Sequence, residues 1–441
     1  MATMGAMQAK DKEVFIVQGL AGEKSLSGTV HINGSKNAAL PAFAAALLFK
    51  HPVRLSNIPT IEDIARVSEL LEGIGATVEK GKKDEYTVTA PSDTKPELNK
   101  DISKRLRASV IFTGPLLARY GEVQFPHPGG CVIGPRPIDL FLSAYEAMGA
   151  RSYLSGETYV LSAPEGLHGA EIFFKNQSVT ATEALLMAAV LAEGTTTLHN
   201  VALEPEVTSV AEFLREGGAC IEGIGSTTLT ITGGGVLTKE KPHYHCIPDR
   251  IESGSFLILG ALSAESLILH DMNPDHIRSL ITLLQESGVD LEIEKNSLRV
   301  KNGRPSRSYR AVNVKTHEYP GFPTDLQAPL LTYLTQVSGE SFIFETVFEN
   351  RLNYTEDLIR MGANIKVFNP HQAIVTGPTP LKGRDLESPD IRAGLAFLIA
   401  AIVASGSSIV HNVYYIDRGY ERIEERLGPL GVSIRREHLP T

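Results

Sequence analysis

The feature that most constrains this chain of 441 residues is a pattern that recurs six times. Each copy begins with polar residues, continues as an Ala- and Leu-rich apolar stretch, turns at small residues and ends in a short strand-like segment. The first copy reads GSKNAALPAFAAALLFKHPVRLSN, and the last reads DIRAGLAFLIAAIVASGSSIVHN. Self-similarity at a regular period is typical of a repeat architecture. The six copies begin near Gly34, Arg107, Ser178, Asp249, Pro323 and Asp390.

A second marker supports the same period. In each copy a further helical stretch ends in glycine followed by a small residue, and these glycines recur at a nearly constant interval. Glycine there is typical of a left-handed helix C-cap, and the residues after it have strand character. Chance similarity between ordinary amphipathic helices is the alternative, but near-constant spacing argues against it. The pairs are Gly75-Ala76, Gly149-Ala150, Gly218-Ala219, Gly288-Val289, Gly362-Ala363 and Gly431-Val432.

Each repeat is therefore interpreted as β-α-β-α-β-β over about 70 residues, and the sequence predicts an α/β protein. Six repeats divide naturally into three plus three, and the length suits two domains. We expect a tail at 1–13, an N-terminal domain at 36–246, and a second domain formed by 14–35 together with 247–436.

Charge and cysteine content limit the classes of function. The formal net charge of −9 argues against a general binder of nucleic acids or membrane surfaces, so positive charge for an anionic ligand must be local. Three cysteines are too few for a disulfide framework and favour a reducing cytoplasm. Cys220 and Cys246 are expected to lie in apolar surroundings and to be inert. The longest apolar runs fall short of the ~18 residues of a membrane span, and the first residues do not resemble a signal peptide.

The apolar helices should be buried, which makes their polar starts informative. Ser, Thr and Asp at these starts are explained by ordinary capping. Capping does not explain Lys36, Arg107 and Arg392, because cations are disfavoured near a helix N-terminus. Cations in these positions suggest an anionic ligand.

A cysteine also stands in an unusual place, in HPGGCVIGPRP at 127–137. Cys131 follows two glycines and precedes a Gly-Pro-Arg segment, so it cannot belong to a core helix or strand. A free cysteine is more often a small buried hydrophobic residue.

Several sequence motifs, taken in their order along the chain, resemble those of one protein family. NGSKNAALP (33–41), PGGCVIGPRPIDL (128–140), PDRIESGSF (248–256), GFPTDLQA (321–328) and IDRGYERIE (416–424) are similar to the UDP-N-acetylglucosamine 1-carboxyvinyltransferases. The resemblance extends from about residue 14 to 436. The sister family, 5-enolpyruvylshikimate-3-phosphate synthase, shares the repeat but not the GGC loop.

The resemblance implies a two-domain, inside-out α/β barrel whose active site lies where helix starts of both domains converge. It implies transfer of the enolpyruvyl group of phosphoenolpyruvate (PEP) to the 3-hydroxyl of UDP-N-acetylglucosamine with release of phosphate, by addition and elimination, in peptidoglycan synthesis. No metal and no organic cofactor are expected. The partners would be these two small molecules, without nucleic acid or membrane, and the protein would be a monomer or a weak homo-oligomer in the cytoplasm.

The resemblance also assigns the chemical roles. Asp325 is the candidate base for the hydroxyl, although from sequence alone a helix cap is the simpler interpretation. Cys131 is the candidate acid for C3 of PEP on a mobile glycine-rich loop, and it is the residue that fosfomycin alkylates in this family. Lys36, Arg418 and Asp390 complete the catalytic set, and Arg351 would support closure.

The binding residues form two overlapping sets, since arginine suits bidentate contacts to carboxylate and phosphate. The PEP set is Lys36, Asn37, Arg107, Arg136, Arg392 and Arg418. The UDP-sugar set is Asn37, Arg107, Arg136, Pro137, Ile138, Asp139, Leu140, Ser178, Val179, Asp325 and Val347.

Five positions depart from the usual family pattern, and we expect them to alter the rim of the acceptor site. Ordinary family drift is one explanation. A different acceptor, such as a free nucleotide, is a second, and a catalytically silent nucleotide-sugar-binding paralogue is a third. The positions are Glu62, Phe141, Asn176, Thr180 and Ser209.

Overall fold

The computed structural model describes residues 13–94, 96–129, 137–301 and 305–439. These residues form two compact units. We call 34–94, 96–129 and 137–247 the N-terminal unit, and 13–33, 248–301 and 305–439 the C-terminal unit. Of the expected tail at 1–13, only Glu13 lies within the described residues. Cys131 and Arg136 lie outside them.

The chain begins in the C-terminal unit with two strands and then enters the N-terminal unit. The strands as far as Ile247 are β1 (Glu13–Gln18), β2 (Leu26–His31), β3 (Val53–Ser56), β4 (Thr77–Lys80), β5 (Tyr86–Thr89), β6 (Glu122–Pro126), β7 (Arg151–Ser155), β8 (Thr158–Ser162), β9 (Glu171–Phe173), β10 (Thr195–His199), β11 (Cys220–Glu222), β12 (Thr228–Thr232) and β13 (His243–His245). The helices are α1 (Lys36–Ala45), α2 (Glu62–Gly73), α3 (Lys100–Arg105), α4 (Thr113–Tyr120), α5 (Asp139–Ala147), α6 (Val179–Leu191) and α7 (Pro205–Glu216), with 3₁₀ turns at Ala46–Leu48 and Arg107–Phe112.

The remainder of the chain completes the C-terminal unit. Its strands are β14 (Ala264–His270), β15 (Asp290–Ile293), β16 (Ser297–Lys301), β17 (Val314–Lys315), β18 (Gly339–Phe344), β19 (Asn364–Asn369), β20 (Gln372–Gly377), β21 (Asp385–Glu387), β22 (Ser407–His411) and β23 (Ser433–His438). Its helices are α8 (Arg250–Ser263), α9 (Arg278–Ser287), α10 (Gln327–Leu334), α11 (Thr355–Met361), α12 (Ile391–Val403), α13 (Val413–Asp417) and α14 (Ile423–Leu427). Its 3₁₀ turns are Pro274–Ile277, Ser306–Ser308, Thr324–Leu326 and Gly428–Leu430.

The sheets repeat one pairing scheme, and the α/β class is confirmed. Four-stranded sheets have the orders β13-β3-β5-β4 and β11-β12-β10-β9 in the N-terminal unit, and β15-β16-β14-β2, β17-β18-β20-β19 and β21-β22-β1-β23 in the C-terminal unit. Each contains one parallel pair and two antiparallel pairs. The sheet β6-β8-β7 has three strands, and a parallel bridge between Glu97 and Gln124 stands where a fourth would pair.

The apolar first helix of each repeat is buried, as its composition predicts. In the C-terminal unit, α8, α10 and α12 contact one another, and every residue of these three helices is buried. In the N-terminal unit, the segment formed by the turn at Arg107–Phe112 and α4 contacts both α1 and α6. Because helices of this kind have no polar face for solvent, the sheets must cover them.

The left-handed caps are also confirmed. All six glycines adopt positive φ, from 89° at Gly75 to 112° at Gly362. In this region a side chain clashes with the following carbonyl, so glycine is favoured there. The turn that ends the second helix of each repeat is thus decided by one residue.

Two other expectations concern cysteine and membranes. Cys246 is buried, but Cys220 is exposed on β11, so the expectation that it lies in apolar surroundings is wrong. The strand is short, and its alternation turns Ile221 inward and Cys220 outward. Within the described ranges, no helix is long and apolar enough to cross a membrane.

Replacing Gly218 with alanine tests the cap directly. Gly218 has φ of 109°, and the space that a Cβ atom would occupy there is open, so strain in the backbone is the only cost. We expect Gly218→Ala to lower the free energy of unfolding by about 1 kcal/mol, measured by urea denaturation. The control is Gly73→Ala in α2, where the space is also open and φ is not positive. It should leave stability equal or raise it by up to about 1 kcal/mol. Equal losses in both variants would contradict the strained-cap account.

Candidate active site

The C-terminal unit holds a carboxylate between two arginines. Asp325 lies in the 3₁₀ turn before α10, and its side chain retains 28% exposure. Its Oδ1 accepts a hydrogen bond from Arg351 Nη2. Its Oδ2 accepts from Arg392, at 3.0 Å from Nε and 2.9 Å from Nη2. Both arginine side chains are buried, at 2% and 7% exposure.

The arginines control the protonation of Asp325. Burial by itself raises the pKa of this carboxyl, but the positive charges of Arg392, Arg351 and Arg250 lower its pKa well below its usual range. Asp325 is therefore ionised throughout the physiological range. A carboxylate held this way is a weak proton acceptor until at least one arginine turns to another anion.

The other site residues predicted in the C-terminal unit are Asp390, Arg418 and Val347. Asp390 is the N-cap of α12, where its Oδ1 accepts from the backbone N–H groups of Arg392 at 2.8 Å and Ala393 at 3.2 Å. Arg418 follows α13 and is 7% exposed. Val347 is 36% exposed in the segment after β18. Asp390 thus has a structural contact in addition to any role in chemistry.

The N-terminal unit holds a second buried ion pair. Lys36 is the first residue of α1, and its Nζ lies 2.6 Å from Oδ2 of Asp63 in the first turn of α2. The two side chains are 9% and 3% exposed. The carboxylate offsets the unfavourable placement of a cation at a helix start, and the buried ammonium is oriented by the pair.

The remaining polar helix starts of this unit have ordinary local contacts. Arg107 begins the turn before α4, and its Nη1 donates to the carbonyl oxygen of Pro128 at 3.0 Å. This contact ties Arg107 to the segment that leads toward Cys131. Ser178 caps α6 by accepting from Ala181 N at 3.3 Å, and Val179 is the first residue of that helix. Asn37 is half-buried in α1.

The members of the expected UDP-sugar set at 137–140 are only partly accessible. Pro137 and Asp139 are exposed, Leu140 is half-buried, and Ile138 is buried at 3% exposure. Asp139 begins α5.

One of the five unusual positions is buried and does not form part of an exposed rim. Phe141 is 2% exposed and packs in the core of the N-terminal unit, so its placement on the rim is wrong. Ser209 is half-buried on α7, and its Oγ lies 2.8 Å from the hydroxyl of Tyr244. Glu62 bonds to Arg66 one turn later on α2. Asn176 is exposed and Thr180 is half-buried.

Three buried carboxylates also lie near the starts of α6 and α7. Glu183 is 1% exposed, Glu204 is 9% exposed and Glu206 is 1% exposed. Oε1 of Glu183 has no hydrogen-bond partner among the described residues. Burial raises the pKa of Glu183 well above its usual value, and the charges of Glu206 and Glu204 raise it further. Both effects favour the protonated form of Glu183.

Sequence reasoning missed Asp63 and did not assign Glu183 a role. Asp63 belongs to a different helix from Lys36, and no local pattern distinguishes it from other acidic residues in a first turn. For Arg351 the sequence predicts support of closure, whereas the structure places it against the candidate base. A motif of polar residues at helix starts indicates where charges lie without indicating which charges meet.

Comparisons with known proteins identify the chain as an enolpyruvyl transferase. The model of the EPSP synthase (3-phosphoshikimate 1-carboxyvinyltransferase) family matches residues 20–427. Among solved structures, the enolpyruvyl transferase NikO from Streptomyces tendae superposes with a TM-score of 0.85 at 26% identity, covering 97% of this chain and 99% of that one. EPSP synthase from Acinetobacter baumannii has a TM-score of 0.73 at 18% identity, which concerns the fold alone.

Relatives with higher sequence identity show which enolpyruvyl transferase family the chain belongs to. The UDP-N-acetylglucosamine 1-carboxyvinyltransferase of Koribacter versatilis is 44% identical over 420 residues, covering 95% of each chain. That of Helicobacter pylori strain 26695 is 40% identical over 95% of this chain and 98% of its own. This chain belongs to the UDP-N-acetylglucosamine 1-carboxyvinyltransferase family.

The raised pKa of Glu183 makes the free energy of unfolding depend on pH. The folded pKa is raised above the unfolded value, so this group's contribution is retained below the unfolded pKa and lost as pH rises toward the folded pKa. In Glu183→Gln that loss disappears. As pH rises above the ordinary range of a glutamate, we expect the variant to become more stable relative to the wild type, by up to ~1.4 kcal/mol per pH unit, as followed by urea denaturation. The exposed Glu216→Gln on α7 serves as the control. A parallel pH dependence in Glu183→Gln and wild type would contradict a raised pKa of Glu183.

Removing the charge of Asp63 tests the second ion pair. Asp63→Asn takes an anion away from the buried ammonium of Lys36, so we expect the free energy of unfolding to fall by roughly 3 kcal/mol. The matched control is Asp275→Asn, which breaks an exposed pair with Arg278 and should cost less than about 1 kcal/mol. Similar urea midpoints for the two variants would show that the buried pair does not stabilise the N-terminal unit.

Proposed function

We propose that this protein transfers the enolpyruvyl group of PEP to the 3-hydroxyl of UDP-N-acetylglucosamine and releases inorganic phosphate. Full-length identity of 40% and 44% to relatives with this named activity supports the assignment. The observation that carries the chemistry is Asp325 held between Arg351 and Arg392. One anionic centre flanked by two cations suits a reaction that brings a hydroxyl to a substrate bearing a carboxylate and a phosphate.

The reaction proceeds by addition and then elimination. In the addition step, the oxygen of the sugar 3-hydroxyl forms a bond to C2 of PEP, and Asp325 accepts the proton that this hydroxyl loses. The thiol of Cys131 donates a proton to C3 of PEP. The product of this step is a tetrahedral ketal. Loss of phosphate from C2 and of a proton from C3 then restores the double bond. Cys131 enters by the family resemblance, since it lies outside the described residues.

The cations supply the binding energy for PEP. The PEP set of the sequence analysis, which would hold the phosphate and the carboxylate, is Lys36, Asn37, Arg107, Arg136, Arg392 and Arg418. The buried positions of Lys36, Arg392 and Arg418 favour this role, because a poorly hydrated cation gains more from a bound anion.

The two arginines of Asp325 also explain how the base becomes active. A carboxylate arriving with PEP competes with Asp325 for Arg392 and Arg351. When one arginine turns to the substrate, the pKa of Asp325 rises from its depressed value, and its ability to accept a proton increases. The active site would thereby keep its base unreactive until PEP is present.

UDP-N-acetylglucosamine would be held mainly by the N-terminal unit. The exposed Pro137 and Asp139, together with Leu140, would meet the uridine, with Ile138 supporting them from the core. Ser178 and Val179 at the start of α6 would meet the diphosphate, which a helix N-terminus suits. Val347 would contact the sugar.

The same assignment leads us to propose the type of barrel, the domain boundaries, the oligomeric state and the cell compartment. The six sheets of the described residues, with their repeated pairing, support an inside-out α/β barrel of six β-α-β-α-β-β repeats. We expect domain boundaries close to those predicted from the sequence, a monomer or weak homo-oligomer, and two small-molecule substrates without nucleic acid, membrane or cofactor. The sparse cysteines favour the cytoplasm.

A free nucleotide is the alternative acceptor, and the unusual positions motivate it. The burial of Phe141 and the bond of Ser209 to Tyr244 weaken this alternative, because both side chains serve packing. Glu62 likewise forms an ion pair with Arg66. Substitutions of this kind are explained by compensated drift.

Product analysis with two acceptors tests the assignment. Purified protein with PEP and UDP-N-acetylglucosamine should release phosphate and form a product heavier than the acceptor by one enolpyruvyl group. UMP should give no product. Asp325→Ala should reduce kcat by at least ~100-fold, while Asp275→Ala, at an exposed position, should retain activity. Turnover with UMP alone would overturn the acceptor, and full activity of Asp325→Ala would overturn the base.

A further inference from the structure

Glu345 is a buried carboxylate that the proposed mechanism does not use. It follows β18 directly and is 0% exposed. Its backbone is held by a β-like bond, since its N–H donates to the carbonyl oxygen of His371 at 2.8 Å. The carboxylate therefore has a defined direction, and burying it requires hydrogen-bond donors.

Three donors meet this carboxylate. The backbone N–H groups of Val347 and Phe348 donate to Oε1 at 2.9 and 3.2 Å. The Thr324 hydroxyl lies 3.0 Å from both Oε1 and Oε2. Through these hydrogen bonds, Glu345 fastens the segment after β18 to the turn before α10.

This link reaches the candidate base through the residue that precedes it. Thr324 comes directly before Asp325, and its carbonyl oxygen accepts from Arg351 Nε at 3.3 Å. Arg351 bonds the Asp325 carboxylate through its Nη2. Thr324 is thus held through its side chain by Glu345 and through its carbonyl by Arg351, and the direction of the next side chain follows from both contacts.

We propose that Glu345 is a positioning residue for the reaction, acting through the Thr324 hydroxyl to set the direction of the Asp325 carboxylate. The inference rests on the proposed function, in which Asp325 is the base. The same carboxylate orders the backbone of Val347, so it holds the candidate base and a candidate sugar contact in one arrangement. A base displaced by a fraction of its hydrogen-bond length loses much of its rate advantage.

Thr324 offers the cleanest test, because Thr324→Val keeps the shape and removes the hydroxyl. We expect kcat to fall by roughly tenfold to a hundredfold, while KM for PEP changes by less than about threefold, since the PEP contacts are unaltered. Thr324→Ser restores the hydroxyl and should restore kcat to within about threefold. The control Thr332→Val removes another buried hydroxyl, on α10, and should keep wild-type kcat.

Glu345→Gln completes a double-mutant cycle. Its amide keeps one oxygen for the two backbone donors and for Thr324 but removes the second acceptor of the Thr324 hydroxyl. We therefore expect kcat to fall by less than in Thr324→Val, with KM for PEP nearly unchanged. Because both changes act on one link, Glu345→Gln with Thr324→Val should be no worse than Thr324→Val alone. Thermal denaturation of each variant confirms folding.

The outcomes separate the two proposals. Wild-type kcat in folded Thr324→Val, failure of Thr324→Ser to restore activity, or additive losses in the double variant would overturn the role of Glu345 in an active enzyme. Absence of wild-type turnover would instead overturn the proposed function, and with it the base that Glu345 is proposed to position.

Discussion

Buried charge at the starts of apolar helices is the constraint on which the site depends. Lys36 begins α1, and Arg392 is the second residue of α12, positions where the helix dipole disfavours a cation and burial removes water. Each cation has a buried or half-buried carboxylate, Asp63 for the first and Asp325 for the second. Removing one member would leave the other charge poorly compensated. In our proposal, these cations exchange an internal partner for a substrate anion.

This arrangement joins stability and chemistry in the C-terminal unit. Asp325 neutralises Arg351 and Arg392 in the unliganded protein, and the same contacts suppress its basicity. A bound carboxylate would take over the neutralising role. In our proposal, Glu345 keeps Asp325 directed while its arginine contacts change, because its hold on Thr324 involves neither arginine.

Much of the architecture follows from local patterns. The six glycines, such as Gly218 and Gly362, mark helix ends because only a residue without a side chain enters that backbone region freely. The all-apolar helices could only be interior. Local pattern fails where burial depends on distant packing: it assigns Phe141 to a rim although the residue lies in the core, and it assigns Cys220 to apolar surroundings although the residue is exposed.

The sequence by itself determined the repeat, the helix ends, the buried helices and the positions of the charged residues, because these depend on periodicity and on the backbone preferences of single residues. Only the tertiary structure decided which charges meet. Lys36 and Asp63 belong to different helices, Asp325 and Arg392 lie near the starts of different repeats of the C-terminal unit, and Thr324 and Glu345 are separated by a helix and a strand. Ion pairs and hydrogen bonds form between groups a few ångströms apart in space, and their partners do not recur at a regular spacing along the chain. Such partners can therefore be identified only from the packed helices and sheets.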